Sequence, residues 1–459
     1  AQEAFKVVSV GGTEMSYVLG TVRRIVVKGT ALGGASALGI AYYQRLPRDY
    51  GDHRCSWSEG GTQRFYQTFI APLVMQLDPE TAHNLALSVA QRLQELRLLA
   101  EPAWTGVSSV DWLVRPARPS SSPSGPSLRQ ELLGGRLCFE SPLGIAAGFD
   151  KNALLVPLYR LGAIPGLGFS EVGSVSAEPA EGNEKPRCFR LTGDKAVINR
   201  LGLNNEGSAA IASRLESFTA LRRVPDHAPL GVNIAKTHSP EILGEAAVAD
   251  FVSSFQALAP HADFMVLNVS CPNTAEGKTF EEPETLRPLL QAISQARASA
   301  SPPVFVKLSP PPDTAAGHAR LEELVSVAKA SGVVDGFVIS NTAGDRDVPL
   351  SNVGREEAAK IGRGGLSGKP LQERSTAAVR QVYQLTGGKL PIIGVGGIDS
   401  AETAYAKIRA GASLVEVYTG LVYKGPGLFS DMHVGLRRLL ERDGFASISE
   451  AVGVDARFA

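Results

Sequence analysis

The stretch PVFVKLSPPPDTAAGHARLEELVSVAKASGVVDGFVIS (303–340) decides the fold. It begins with a short apolar run, PVFVKLS (303–309), carries a helical pattern over 319–331, and ends on a second apolar run, DGFVIS (335–340). Strand, helix, strand, with near-continuous hydrophobicity in both strands, predicts parallel strands buried on both faces. The unit repeats outward in both directions. Upstream lie PLGIAAG (142–148), FSEVGSV (169–175), LGVNIA (230–235) and FMVLNVS (264–270); downstream lie PIIGVGG (391–397) and SLVEVYTG (413–420). Helical stretches at 206–221, 243–258, 284–298, 370–385 and 400–410 fall between most of them. Eight such strands predict an α/β protein of the closed (β/α)8 barrel type. An open doubly wound sheet would carry a GxGxxG turn after its first strand, and none is present there.

At 459 residues the chain exceeds one average domain, and a single barrel with an added segment accounts for it. The 46 basic and 46 acidic residues cancel, so no global field would draw in nucleic acid. Four widely spaced cysteines (Cys55, Cys138, Cys188, Cys271) contain no CxxC pair, which argues against both a zinc site and a disulfide framework.

The N-terminal part has a different texture. The chain opens without a methionine, consistent with removal of a start or targeting segment. Ile25 to Tyr43 forms a stretch of 19 mostly apolar or small residues, flanked by Arg23, Arg24, Arg45 and Arg48. That length just spans a hydrocarbon core of about 30 Å. We therefore expect residues 1–61 to be an N-terminal segment with a membrane span at about 25–43 and a polar linker at 49–61. Two helices are expected over 62–100. Phe65, Phe69, Leu73 and Leu77 set the period of the first, and Asp78-Pro79 starts the second, whose face carries Ala82, Leu85, Val89, Leu93 and Leu96. The barrel occupies 101–459. Its residues 115–127, rich in proline and serine, read as a flexible insert.

In barrels of this kind the working residues sit at the C-terminal ends of the strands. Here those ends carry Gly148-Phe149-Asp150-Lys151, Gly173-Ser174, Asn233 with Lys236, Asn268 to Asn273, Lys307, Ser340-Asn341-Thr342, Gly396-Gly397 and Tyr418-Thr419. One polar residue at a strand end is an ordinary turn former; so many together suit a planar ligand rich in carbonyl and N–H groups. No carboxylate or His/Cys cluster points to a metal. Gly364 to Lys369 resembles a phosphate loop but fails the Walker pattern, since Pro370 follows the lysine. Together with Gly396-Gly397 and Tyr418-Thr419 it matches instead the usual phosphate site of a barrel's last strands. Lys151 and Lys307 on or beside apolar strands need an anionic partner.

These strings together resemble the dihydroorotate dehydrogenase family. The similarity is carried by LDPETAH, GIAAGFDKN, EVGSV, EGNEKPRCFRL, AVINRLGLNN, LGVNIAK, LNVSCPNT, VKLSP, SNT, GGLSGKPL, PIIGVGGI and RAGASLVEVYTGLVYKGPG, in one order over roughly residues 62 to 455. The N-terminal segment, the two helices and LDPETAH are similar to the membrane-associated, quinone-linked class. The resemblance implies FMN held by Ala147, Gly148, Lys151, Ser174, Asn233, Asn268, Lys307, Ser340, Gly368, Gly397, Tyr418 and Thr419. It implies dihydroorotate held by Lys151, Asn199, Arg200, Leu201, Gly202, Leu203, Asn268, Asn273, Asn341 and Thr342. It also implies a ubiquinone tunnel between the two helices, closed by His83, Arg190 and Tyr418. In a eukaryote it implies the mitochondrial inner membrane.

The chain departs from that class in four places. Cys271 stands where the class has a serine base and the soluble class a cysteine. Ala275-Glu276-Gly277-Lys278 replaces the usual Gly-Leu-Arg. Residues 344–363 read as an extended loop. Val74 and Val422 stand where polar residues often line the tunnel. The chemistry implied is removal of a C5 proton by Cys271 and of a C6 hydride by the flavin, with Lys151 balancing charge and the asparagines orienting the ring. A thiol of ordinary pKa about 8.5 ionises far more readily than a serine hydroxyl. The competing readings are the same reaction with fumarate or NAD as acceptor, another FMN barrel oxidoreductase acting on uracil or tRNA dihydrouridine, and an inactive scaffold.

Overall fold

The computed structural model describes residues 63–64, 66–100, 125–160, 162–223, 228–270 and 280–457. The expected membrane span at 25–43, the expected base Cys271 and the ligand residue Asn273 lie outside them. Among the described residues no helix is long and apolar enough to cross a membrane.

Eight parallel strands close into a barrel. Among the described residues thirteen strands occur in chain order: β1 (Gln130–Leu132), β2 (Leu137–Phe139), β3 (Leu143–Ile145), β4 (Phe169–Val175), β5 (Cys188–Leu191), β6 (Ala196–Asn199), β7 (Leu230–Ile234), β8 (Phe264–Asn268), β9 (Val304–Leu308), β10 (Gly336–Ile339), β11 (Gly365–Gly368), β12 (Ile392–Val395) and β13 (Leu414–Val417). The barrel runs β3-β4-β7-β8-β9-β10-β12-β13 and closes where Val415, Glu416 and Val417 of β13 meet Leu143, Gly144 and Ile145 of β3. Each barrel strand lies within one of the eight apolar runs of the sequence.

Alternate residues of each strand face outward and inward. The outward set, such as Val232, Met265, Val306 and Ile339, packs with Phe251, Leu289 and Leu324 of the surrounding helices. The inward set fills the lower barrel. Phe139 of β2 plugs the N-terminal end and meets Phe169 edge-on at 5.4 Å, and Phe264 meets Phe305 at 5.5 Å. Glycines make room for these rings: a Cβ on Gly144 would lie 2.3 Å from Phe169, and one on Gly231 equally close to Phe264. Polar side chains are thereby left to the upper barrel.

Two features at the C-terminal end shape the site. An antiparallel sheet, β11-β6-β5, stands over the barrel mouth. Beside it the helix Pro79–Ala100 is docked by Gln94, which donates to Leu154 O and accepts from Leu158 N, and by Glu80, whose carboxylate accepts from Nε and Nη2 of Arg187. Asp78 caps that helix, its Oδ1 accepting from Glu80 N and Thr81 N, in line with the Asp-Pro start.

Three expectations need correction. The segment before Asp78 is a π-helical stretch, Tyr66–Ile70, running into Ala71–Val74, and not one regular helix. Residues 344–363 contain the helix Asn352–Ile361, started by Ser351, whose Oγ accepts from Gly354 N. The end of the 115–127 insert is paired, with Ser127 bridging to Ser447 and Leu128 buried.

Candidate functional site

The strand ends and the helix Pro79–Ala100 enclose a cavity of about 880 Å³, within the usual size range of ligand sites. Its floor is formed where β8, β9, β10 and β13 end. Asn268 is fixed there by four contacts: its Nδ2 donates to Ser174 Oγ at 2.9 Å, and its Oδ1 accepts from Ser270 N, Ser270 Oγ and Asn341 Nδ2. Asn341 Nδ2 also reaches Ser270 O. Two amides braced by serine hydroxyls in this way are pre-set to meet carbonyl and N–H groups of a planar ring.

Lys307 comes up from β9 and lines the cavity. Burial alone would lower its pKa, but the Glu171 carboxylate, acting by charge and by hydrogen bond, raises it, and the net direction is above the ordinary lysine value. Lys307 Nζ donates to Glu171 Oε1 at 3.2 Å, and Asn233 Nδ2 donates to the same oxygen at 2.8 Å. Asn233 is fully buried and does not line the cavity; it holds the group that holds Lys307.

On the β3 side, Ala147, Gly148 and Lys151 line the cavity. Gly148 has φ +96, which favours glycine, and its N–H donates to Gly173 O at 2.6 Å. Asp150 fixes the loop by accepting from Leu154 N and Leu155 N, while burial pushes its carboxyl up to about 6. Lys151 Nζ donates to Asn204 Oδ1 at 2.9 Å. Asn199, Leu201, Gly202 and Leu203 face the same space, as do Asn341 and Thr342. Arg200 does not. Its guanidinium lies over the Phe189 ring at 4.6 Å and donates to Ile361 O, so it braces the overlying sheet.

The glycine cradle is on the far side. Gly368 (φ +100) and Gly397 (φ +73) both line the cavity. A Cβ on Gly368 would lie 2.4 Å from Lys195 O, and one on Gly397 2.4 Å from Gln372 Cα. Ser340 and Thr419 complete this side, with Thr419 Oγ1 2.8 Å from Ser367 Oγ. Backbone without side chains, on the last strands, is what a phosphate monoester requires.

From this chamber the cavity continues outward under the helix Pro79–Ala100, past Ala82, Ala86, Ala90 and Leu93. His83, Arg190 and Tyr418 stand at the junction. The His83 ring meets Phe149 edge-on at 5.1 Å and stacks on Tyr418 at 6.4 Å. Burial, aided by Lys151, drives its pKa down to about 4, so it is neutral near pH 7. Arg190 donates through Nη1 to Leu77 O at 2.8 Å, while its buried Nε has no partner among the described residues. Cys188 lies at the same junction, its thiol pushed by burial to about 11.

The sequence reading missed Asn204, Cys188, Glu171 and Glu416. Asn204 stood inside the quoted AVINRLGLNN string; the two glutamates stood inside strands read as uniformly apolar.

Comparison with known proteins agrees with this geometry. The dihydroorotate dehydrogenase family model matches residues 127–440. Dihydroorotate dehydrogenase (quinone) of Deinococcus deserti is 42% identical over 398 residues, 85% of this chain and 100% of its own. The mitochondrial dihydroorotate dehydrogenase (quinone) of Mus musculus is 40% identical over 405 residues, 86% of this chain and 92% of its own. Among solved structures, Eimeria tenella DHODH in complex with ferulenol superposes with a TM-score of 0.69 at 31% identity, covering 87% of this chain and 99% of that one.

Proposed function

The chain belongs to the dihydroorotate dehydrogenase family, and from that premise we propose that it oxidises dihydroorotate to orotate on FMN and delivers the electrons to a quinone. One observation carries the reading. A single cavity joins the amide-lined chamber at the strand ends to an apolar passage under the helix Pro79–Ala100. A polar substrate and an apolar acceptor thus share one site from opposite sides.

The residues present fit FMN. Gly368, Gly397 and Thr419 would take the phosphate; Ala147, Gly148, Ser174, Asn268, Lys307, Ser340 and Tyr418 would line the ring. When bound, FMN supplies an acceptor for the C6 hydride and a two-electron donor for the quinone. The protein does the rest. Lys151, Asn199, Asn341 and Thr342 would hold the substrate ring and its carboxylate, so that orientation is settled before reaction. Cys271, on the segment after β8, would take the C5 proton. Lys307, lining the cavity, would favour negative charge on the bound ring. His83, being neutral, and Arg190 would direct hydrogen bonds at the acceptor's carbonyl oxygens.

Membrane attachment belongs to the same proposal. The apolar sequence at 25–43 supports it, as do Phe69, Leu73, Val89 and Leu93, each more than half exposed on the elements around the passage. In a eukaryotic cell the corresponding location is the mitochondrial inner membrane. The test is a pair of truncations. Removing residues 1–48 should leave turnover with a short-chain quinone intact. Removing residues 1–98 should abolish it while flavin reduction by dihydroorotate survives. Efficient turnover of the shorter protein with fumarate or NAD would overturn the quinone assignment.

A further inference from the structure

The upper barrel holds two carboxyl groups and one ammonium almost wholly shielded from solvent. Glu171 on β4 and Glu416 on β13 are 0% and 1% exposed, and Lys307 on β9 is 5% exposed. The two donors in reach, Lys307 Nζ and Asn233 Nδ2, both go to Glu171 Oε1. Glu171 Oε2 and both oxygens of Glu416 meet no donor among the described residues. Glu416 nevertheless lines the ligand cavity, whereas Glu171 lies beneath it. Two buried carboxylates beside a single cation would leave one negative charge uncompensated, which costs several kcal/mol in such a setting. A proton between the carboxyls removes that cost and gives Glu171 Oε2 the donor it lacks.

We propose that Glu416 is a neutral carboxylic acid at physiological pH, donating its proton to Glu171, and that the pair acts as a positioning device for Lys307. The groups acting on Glu416 agree: burial first and Glu171 second raise its pKa far above the usual carboxylate range, and Lys307 opposes them without prevailing. Glu171 is then the one anion against the Lys307 cation. The cofactor ring meets a Lys–Glu pair that is electrically neutral, anchored by Asn233, with a carboxylic acid at its side. The acid's protonation rests on this chain's own buried groups; its consequence for the ring rests on the FMN reading.

The direct test is infrared spectroscopy of the holoenzyme near pH 8, where the carboxyl of Asp150, held at about 6, is ionised. The wild type should show the C=O stretch of a protonated carboxyl that moves in deuterium oxide and is missing in Glu416→Gln. Glu171→Gln should lose the band too, because Glu416 then ionises beside Lys307; a solitary buried acid would keep it. Absence of the band in the wild type, or its survival in Glu416→Gln, overturns the proposal. The positioning role has its own readout. Glu416→Gln, neutral and of the same shape, should bind FMN as the wild type does. The double variant Glu171→Gln/Glu416→Gln leaves Lys307 uncompensated. It should favour reduced over oxidised flavin by at least about tenfold, a rise in midpoint potential of about 30 mV for a two-electron couple. An unchanged potential in the flavin-loaded double variant refutes that role. A protein with the band but without flavin would refute the FMN reading and leave the shared proton standing.

Discussion

Replacing Arg190 by alanine should separate the two half-reactions. Its guanidinium spends Nη1 on Leu77 O at 2.8 Å and leaves Nε buried at the cavity junction without a partner among the described residues. A hydrogen bond from a charged donor contributes about 1.5–3 kcal/mol. At about 1.4 kcal/mol per tenfold, losing one such bond to an acceptor carbonyl raises the KM for quinone by about 10- to 150-fold. The dihydroorotate side gains nothing from Arg190, so the rate of anaerobic flavin reduction and the KM for dihydroorotate should move by less than about threefold, within the scatter of single contacts. Arg190→Lys should recover only part of the loss, because an ammonium cannot serve Leu77 O and the ligand with the same fork. The assay is steady-state turnover against a short-chain quinone, paired with stopped-flow reduction by dihydroorotate. An unchanged quinone KM, or an equal loss in both half-reactions, would refute the assignment of Arg190 to the acceptor.

Cys271→Ala should bind dihydroorotate yet reduce the flavin about 10²- to 10⁴-fold more slowly, the usual contribution of a general base; Cys271→Ser should keep partial activity with its pH profile displaced upward. Gly397→Ala puts a Cβ 2.4 Å from Gln372 Cα at φ +73, a backbone state costing about 1–2 kcal/mol for an L side chain, so the purified variant should hold visibly less FMN than the wild type by absorbance. His83, held at about 4 by burial against an ordinary 6.5, takes up a proton more readily in the unfolded chain. Its contribution to stability is present above pH 6.5 and declines as pH falls from there towards 4. His83→Gln should flatten that part of the melting-temperature profile, and an unaltered profile would show that His83 is not the group responsible.

The barrel was legible because its strands are short, apolar runs regularly separated by helical patterns, and because a strand buried on both faces has no polar alternation to confuse the period. The antiparallel sheet β11-β6-β5 was not, since its strands are four residues each and mix Arg190, Asn199 and Ser367 with apolar neighbours. The helix Asn352–Ile361 was hidden for a related reason: most of its residues are polar or small, and its start depends on Ser351 Oγ and on Asp194, over 150 residues away. In the site, the residues at strand ends could be read because topology sends every strand end to one mouth. Arg200 was carried along with its neighbours in a string, but a string does not say which way a side chain turns, and this one turns outward onto Phe189. Glu171 and Glu416 were invisible for the opposite reason. Within FSEVGSV and SLVEVYTG each is the one charged residue of a largely apolar run, and only closure of the barrel brings β4 and β13 together near Lys307.

The central claim, that one cavity couples dihydroorotate to quinone through a bound flavin, is tested most directly by a two-step anaerobic titration of the purified protein followed by absorbance. Dihydroorotate alone should bleach the flavin bands in proportion to one FMN per chain, and a short-chain quinone added next, with fumarate and NAD as controls, should restore them. A colourless protein that FMN cannot reconstitute, a flavin that dihydroorotate does not bleach, or reoxidation by fumarate or NAD and not by quinone would contradict the account.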